Sequence, residues 1–120
     1  MRRKGLLVAR LSTGIFLAAA AAGADEKGKM LFDQSCATCH GVDATGVKGL
    51  GKDLTTSEFV AKKSDADMVQ FINEGRAADH PDNTTGILMP PKAGNPALTD
   101  DDIKAIVSYM RTLHKGSGPR

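Results

Sequence analysis

Aromatic side chains, cysteines and long apolar runs are all scarce in this sequence. Of its 120 residues, one is tyrosine, four are phenylalanine and none is tryptophan, so aromatic rings can supply only a small part of a core. Two cysteines cannot build a framework of several disulfides. No stretch between turn signals alternates apolar and polar residues, which excludes a sheet with one buried face. The composition therefore predicts one small all-α domain with long loops.

Residues 1–24 contain no acidic residue and have the layout of a secretory signal peptide. Basic residues at positions 2–4 precede about a dozen apolar or small residues, which end in a small-x-small cleavage site at positions 22–24. A bilayer span needs about 20 apolar residues, and Arg10 cuts this run short, so a retained anchor is the less favoured alternative. We expect residues 1–24 to be cleaved and the rest to lie in a bacterial periplasm without inserting into the membrane.

The charge balance gives no indication of a nucleic-acid partner. The whole chain has 16 basic and 14 acidic residues, but four of the basic residues and none of the acidic ones lie in residues 1–24. Their removal leaves 12 basic and 14 acidic residues, a formal net charge of −2. No basic patch or arginine-rich helix is present. We therefore expect residues 25–120 to form one domain that binds no nucleic acid.

Helical periodicity begins directly after the predicted cleavage site. Residues 26–35 place Gly28 and Phe32 on one face of a helix, and we expect Met30 in the same helix to pack inside. A short helical turn is expected over residues 57–61.

Two further helices have recognisable ends. Ser64 is a good N-cap for one of them, and Gly75 is a natural stop. Thr99 caps the last helix, the acidic residues at positions 100–102 suit the positive end of its dipole, and residues 115–116 end it. The sequence thus predicts three to four helices.

Cys36, Cys39 and His40 form a C-x-x-C-H motif, which is typical of covalent haem attachment. One helical turn brings both thiols to one edge of a porphyrin, where they add to its vinyl groups, and the next imidazole projects under the iron with Nε2 as ligand. A redox dithiol normally follows a strand, and a zinc site needs four ligands. Neither context is present, so we predict one covalent haem c with His40 as a ligand.

The second axial ligand must come from elsewhere in the chain. Met89 lies in a long irregular loop predicted over residues 76–98, next to Pro90 and Pro91, which stiffen the backbone. We predict Met89 as the ligand, with His80 or an open or water-bound position as alternatives. The remaining methionines lie at helical core spacing and are expected to pack: Met30, Met68 and Met110.

These blocks together resemble the class I c-type cytochromes over nearly all of residues 26–114. The resemblance implies a cytochrome c fold, in which the first and last helices cross near one haem edge. Gly28 would permit their close approach, with Phe32 and Tyr109 packing there.

The resemblance also implies residues of the haem wall. Leu54 matches a haem-wall leucine, and Pro90 and Pro91 would line the methionine side. The tryptophan that some members place near a haem propionate is missing. Arg76 and Lys48 are weak candidates to replace it, and we expect both to be solvated charges instead.

The expected function is single-electron transfer rather than enzyme catalysis, because two strong axial ligands leave no iron position for a substrate. A monomer would dock transiently with redox proteins near Cys39 and Gly41. The expected donor is a quinol-oxidising complex or a dehydrogenase, and the acceptor is a terminal oxidase or reductase. The alternatives are a dedicated subunit of a dehydrogenase or oxidase complex, and a five-coordinate haem sensor or peroxidase.

Overall fold

The computed structural model describes residues 17–116 of the chain. Within this part, long loops join five α-helices and one short 3₁₀ helix. No strand is present among these residues, which contain only two isolated bridges, between Val47 and Gly51 and between Arg76 and Met89. The all-α prediction is confirmed. The elements are α1 (Leu17–Ser35), α2 (Ala37–His40), α3 (Glu58–Lys62), α4 (Asp65–Glu74), the 3₁₀ helix (Pro91–Gly94) and α5 (Asp100–Leu113).

Helix α1 begins at Leu17, earlier than the start expected near residue 26. Alanines dominate residues 18–24, and alanine is the strongest helix former, so the backbone continues the helix in the N-terminal direction. The predicted cleavage site at positions 22–24 lies within this helix, and residues 1–16 of the predicted leader lie outside the described residues. None of the described helices combines the length and the apolar character that a membrane span requires.

Helices α1 and α5 cross at Gly28, which is buried. A Cβ atom at Gly28 would clash with the carbonyl oxygen of Ala105 and would lie 2.8 Å from the Cβ of Tyr109. One helical turn further on, the fully buried Phe32 ring meets the Tyr109 ring edge to face, with centroids 5.7 Å apart. Such a pair adds about 1 kcal/mol beyond its area burial. The crossing of the first and last helices is therefore as expected.

Side-chain caps begin α4 and α5 where the sequence places them. The Ser64 hydroxyl accepts the Asp67 N–H at 3.1 Å. Thr99 and Asp102 form a capping box, with bonds of 3.1 and 3.0 Å in the two directions. Lys27 on α1 contacts the Asp102 carboxylate at 2.9 Å. The hydrogen bond from Lys27 and those from Thr99 lower the pKa of Asp102 to about 2.

One apolar core joins these helices, and Met68 and Met110 are buried in it as expected. The expectation for Met30 is wrong, because its side chain is 52% exposed. Each residue turns the helix by about 100°, so position 30 points away from the face that carries Gly28 and Phe32. The buried core consists of Phe32, Cys36, Ala44, Val60, Met68, Ile72, Leu98, Ile103, Ile106, Val107 and Met110.

Candidate haem site

A largely apolar cavity opens beside the crossing of α1 and α5. It holds about 1210 Å³ of space free of atoms, including its open mouth. The inner wall comes from the core, and includes Phe32, Ile72 and Ile106. The structure brings all six residues of the predicted site to this cavity: Cys36, Cys39, His40, Leu54, Met89 and Pro90.

The two cysteines flank the start of the one-turn helix α2. The backbone N–H groups of Cys39 and His40 both donate to the Cys36 carbonyl, at 3.2 and 2.9 Å, and this turn directs both thiols to the cavity. Cys36 is buried and Cys39 is exposed, and neither forms a disulfide. Burial, with a smaller contribution from Cys39, raises the pKa of Cys36 to about 12. Because redox dithiols rely on a readily ionised thiol, this environment argues against a thioredoxin-type site.

His40 is oriented by a backbone group that the sequence analysis missed. Its Nδ1 lies 2.8 Å from the carbonyl oxygen of Lys52. A carbonyl only accepts, so Nδ1 carries the proton and Nε2 keeps a free lone pair. Such a partner fixes the ring and raises the basicity of the ligating nitrogen. The only signal in the sequence was the glycine-rich segment 41–54, which folds back over α2: the N–H of Gly46 donates to the His40 carbonyl at 2.7 Å.

Met89 is held by more than its flanking prolines. Arg76 and Met89 exchange two backbone hydrogen bonds, at 2.8 and 3.0 Å, so the methionine is fixed to the end of α4. Gly75 makes this pairing possible, because it has a φ of +67° and a Cβ there would clash with the Met89 carbonyl oxygen. The half-buried Met89 side chain reaches the cavity from this fixed backbone.

The segment between Arg76 and Met89 folds around Asn83. The Asn83 amide nitrogen donates to the carbonyls of Ala77 and Ile87, at 2.9 and 2.8 Å. Its side-chain oxygen accepts the N–H of Gly86 at 2.8 Å. Asparagine favours such turns, which is the signal the sequence offered for this organisation.

The alternative ligand His80 lies away from the cavity. It is exposed, is not part of the cavity wall, and accepts the Asp82 N–H at 3.1 Å through Nδ1. Within residues 17–116, no three histidine, cysteine or acidic side chains converge as a metal-binding group, so a zinc site finds no support there.

Lys52 connects the two sides of the site. Its ammonium group donates to the Thr84 hydroxyl at 2.8 Å, and this bond joins the segment that orients His40 to the methionine loop.

The residues present fit a haem. Two thiols with C-x-x-C-H spacing, an imidazole with a free Nε2 and a thioether all line one apolar cavity, and no carboxylate is part of its wall. When bound, the haem supplies a reversible one-electron couple. The protein residues attach it, orient its ligands and surround it with apolar side chains.

Comparison with known proteins agrees with this geometry. A family model described as cytochrome c matches residues 26–114. The chain belongs to the cytochrome c family. The cofactor of this cytochrome is one covalent haem c, and Cys36 and Cys39 complete the attachment motif.

Relatives of two kinds are similar to this cytochrome. Cytochrome c-554(547) of Halothiobacillus neapolitanus is 33% identical over 98 residues, which cover 77% of this chain and 99% of the relative. Cytochrome c-555 of Prosthecochloris aestuarii is 33% identical over 69% of this chain and 81% of its own length. The Cbb3-type cytochrome c oxidase subunit CcoP of Azospirillum brasilense is 34% identical over 79% of this chain. This cytochrome spans only about 30% of the length of that subunit.

A solved structure shares the fold. Cytochrome cL of the methylotroph Methylophaga aminisulfidivorans superimposes with a TM-score of 0.62 at 28% identity. The superposition covers 89% of this chain and 64% of the other. The cytochrome c fold implied by the sequence is therefore confirmed.

Proposed function

We propose that this cytochrome is a single-electron carrier whose haem iron is bound by His40 Nε2 and the Met89 sulfur. One observation carries the proposal: both side chains reach the same apolar cavity, and each is held by hydrogen bonds. The His40 ring donates through Nδ1 to the Lys52 carbonyl, and the Met89 backbone pairs with that of Arg76. Two occupied axial positions leave none for oxygen or peroxide, which favours electron transfer over a sensor or peroxidase. Ligands held this firmly also change little between the two oxidation states.

The cavity wall supports a raised reduction potential. Methionine ligation raises the potential relative to ligation by two histidines. The apolar wall adds to this effect, because low polarity disfavours the additional charge of the ferric state. The carrier would therefore operate towards the oxidising end of a respiratory chain.

The site also supports a partner surface at the cavity mouth. Cys39 is exposed there, and Leu50 and Leu88 belong to the cavity wall yet are 48% and 55% exposed. A small apolar rim suits the brief, weak docking of redox proteins. We propose a quinol-oxidising complex or a dehydrogenase as the donor and a terminal oxidase or reductase as the acceptor. The carrier would be a monomer that is exported to the periplasm after cleavage of residues 1–24.

A second function is favoured by the oxidase-subunit relatives. Since CcoP and FixP proteins contain a segment similar to this chain, the cytochrome could act as a dedicated electron-transfer subunit of an oxidase complex. Purification from its native membrane fraction under mild conditions distinguishes the two. A subunit co-purifies with an oxidase in a fixed ratio, whereas a free carrier is recovered alone.

The ferric visible spectrum tests the ligand assignment. The purified protein should show the weak band near the red end that methionine ligation produces, and Met89→Ala should lose it while the haem stays attached. His80→Ala is the matched control and should keep the band. Loss of the band in His80→Ala, with Met89→Ala unchanged, would sink the assignment. The mass of the same sample should equal residues 25–120 plus one haem.

A further inference from the structure

The charged residues of the haem cavity are all of one sign. Lys52 and Arg76 are part of its wall, and no aspartate or glutamate is. A haem has two propionate groups, which are carboxylates and carry the only negative charges on its periphery. The cavity therefore presents two fixed cations to a ligand with two anionic groups. The argument that follows rests on the haem being bound in this cavity.

Arg76 is built into the wall by two aromatic rings. Its guanidinium carbon lies 4.9 Å from the centroid of Phe59 and 4.8 Å from that of Phe71. These rings pack on each other edge to face, with centroids 4.8 Å apart. Arg76 is half-buried, and its backbone is fixed by the pairing with Met89. The expectation of a solvated charge is therefore wrong for this arginine, because two rings cover its planar group.

The guanidinium of Arg76 has donors to spare. Its only hydrogen bond within the described residues is a long one, 3.3 Å, from Nη1 to the Asp82 carbonyl. None of the five ion pairs found in that part of the chain includes Arg76. A guanidinium carries five N–H donors in a planar fork that matches a carboxylate.

The other cations near the core contrast with Arg76. Arg111 is bound to the Asp65 carboxylate at 3.0 Å and to the carbonyls of Val60 and Lys63, so its donors are occupied within the protein. Lys52 is exposed, and its ammonium group already donates to Thr84. Arg76 alone among these three combines partial burial, a position in the cavity wall and unused donors.

We propose that Arg76 binds a haem propionate and, by its charge, raises the reduction potential of this cytochrome. A positive charge beside the haem disfavours ferric iron, which carries one more positive charge than ferrous iron. Pairing with the propionate also offsets a negative charge that would otherwise stabilise the ferric state. Both effects act in the same direction, so removal of the guanidinium lowers the potential.

The test compares Arg76→Gln with Arg76→Lys in the holoprotein. Arg76→Gln keeps the backbone bonds to Met89 and should keep the red band of methionine ligation. At neutral pH, its ferric-to-ferrous ratio at a fixed applied potential should rise by about tenfold, which is a shift of about 59 mV for one electron. Arg76→Lys keeps the charge and should retain most of the potential. Lys62→Gln, which removes an exposed charge paired with Glu58, is the control and should leave the potential unchanged.

The pH profile distinguishes propionate binding from a general charge effect. Without its counter-charge, the propionate of Arg76→Gln should protonate within about pH 5–8, and the potential should fall as the pH rises through that range. The reduction potential of the unmodified protein should stay constant over the same pH range. Of the other titratable groups in the wall, His40 is the proposed iron ligand, Cys36 and Cys39 would be thioethers, and Lys52 is the same in both proteins that are compared.

A measurement without any variant completes the test. In the unmodified protein with isotope-labelled haem, NMR should show one propionate still ionised at about pH 4, where an ordinary carboxyl group is about half protonated. The inference about Arg76 would be overturned if both propionates were about half protonated at that pH. It would also be overturned if the reduction potential of Arg76→Gln equalled that of the unmodified protein. Either result would leave the electron-carrier proposal intact, because that proposal fails only if the haem or the methionine band is absent.

Discussion

Arg76 and Met89 exchange both of their backbone hydrogen bonds, at 2.8 and 3.0 Å, and this pairing fixes the candidate haem ligand to the end of α4. The pairing places Gly75 directly against the methionine backbone. Position 75 is therefore a structural requirement for the ligand position.

Gly75→Ala should weaken methionine ligation. The new methyl group would clash with the Met89 carbonyl oxygen and would lie 2.7 Å from the Pro91 nitrogen, in a backbone conformation with positive φ. We expect the free energy of unfolding to fall by about 1–3 kcal/mol. The red band of the ferric spectrum should weaken or disappear in the folded variant.

Gly86→Ala is the control for that experiment. Gly86 also has a positive φ, of +70°, but no atom lies within 4 Å of a Cβ placed there. Only the backbone cost of about 1 kcal/mol applies, and the band should stay. Equal loss of the band in both variants would contradict the role assigned to the contact between Gly75 and Met89.

Asn83→Ala should loosen the methionine loop before the rest of the domain unfolds. The variant loses the two bonds from the Asn83 amide nitrogen to the carbonyls of Ala77 and Ile87, and the side-chain oxygen that accepts the Gly86 N–H. We expect a loss of about 1–2 kcal/mol. In a denaturant titration, the methionine band should disappear at a lower concentration than helical circular dichroism does.

Thr84→Ala is the comparison for Asn83→Ala, because it removes a single exposed contact, that with Lys52. In Thr84→Ala, the methionine band and the helical circular dichroism should be lost at denaturant concentrations as close together as in the unmodified protein. Coincident transitions in Asn83→Ala would show that the loop is not organised by this side chain.

Gly28→Ala should disrupt the crossing of α1 and α5. Alanine favours a helix, but at this position its methyl group meets the Ala105 carbonyl and the Tyr109 Cβ. The clash should dominate and lower the free energy of unfolding by about 1–3 kcal/mol. Met30→Ala, on the exposed face of the same helix, should change it by no more than about 0.5 kcal/mol. Chemical denaturation of both variants checks the difference.

Asp102 should make stability depend on pH under acidic conditions. Its pKa in the folded chain is about 2, below the ordinary value of 3.8. A carboxylate whose pKa is lowered by folding stabilises the protein above its ordinary pKa, and the effect is lost as the pH falls from about 4 through 2. Asp102→Asn should therefore show a shallower loss of stability over that interval.

Asp101→Asn is the matched variant for the acid titration. Asp101 is exposed, and its carboxylate lies 3.6 Å from the Lys104 ammonium group. Its stability profile should follow that of the unmodified protein. If both variants have the same slope in denaturant titrations from pH 5 to pH 2, the bonds from Lys27 and Thr99 do not control the acid response.

Local patterns in the sequence were sufficient for much of this fold. The Ser64 and Thr99 caps depend on neighbouring residues and formed as expected. The buried Gly28 and Phe32 follow from one helical face. Met30 was expected to pack because it was placed at helical core spacing, although its angular position relative to Gly28 and Phe32 puts it on the outside of the helix.

The missing parts of the site are contacts between segments distant in sequence. The His40 ring bonds to the backbone carbonyl of Lys52, and Arg76 pairs with Met89 through backbone atoms. A pattern of side-chain types in the sequence does not indicate bonds to backbone groups. Arg76 itself was taken for a solvated charge because Phe59 and Phe71 come together with it only in the folded chain.

The burial of Cys36 has a consequence for how the mature protein is made. The core encloses this sulfur on the side away from the cavity, and burial raises the pKa of its thiol to about 12. A thiol reacts through its thiolate, so we expect thioether formation to be faster in an unfolded chain, where this sulfur is exposed to water. Haem attachment is then expected to precede complete folding.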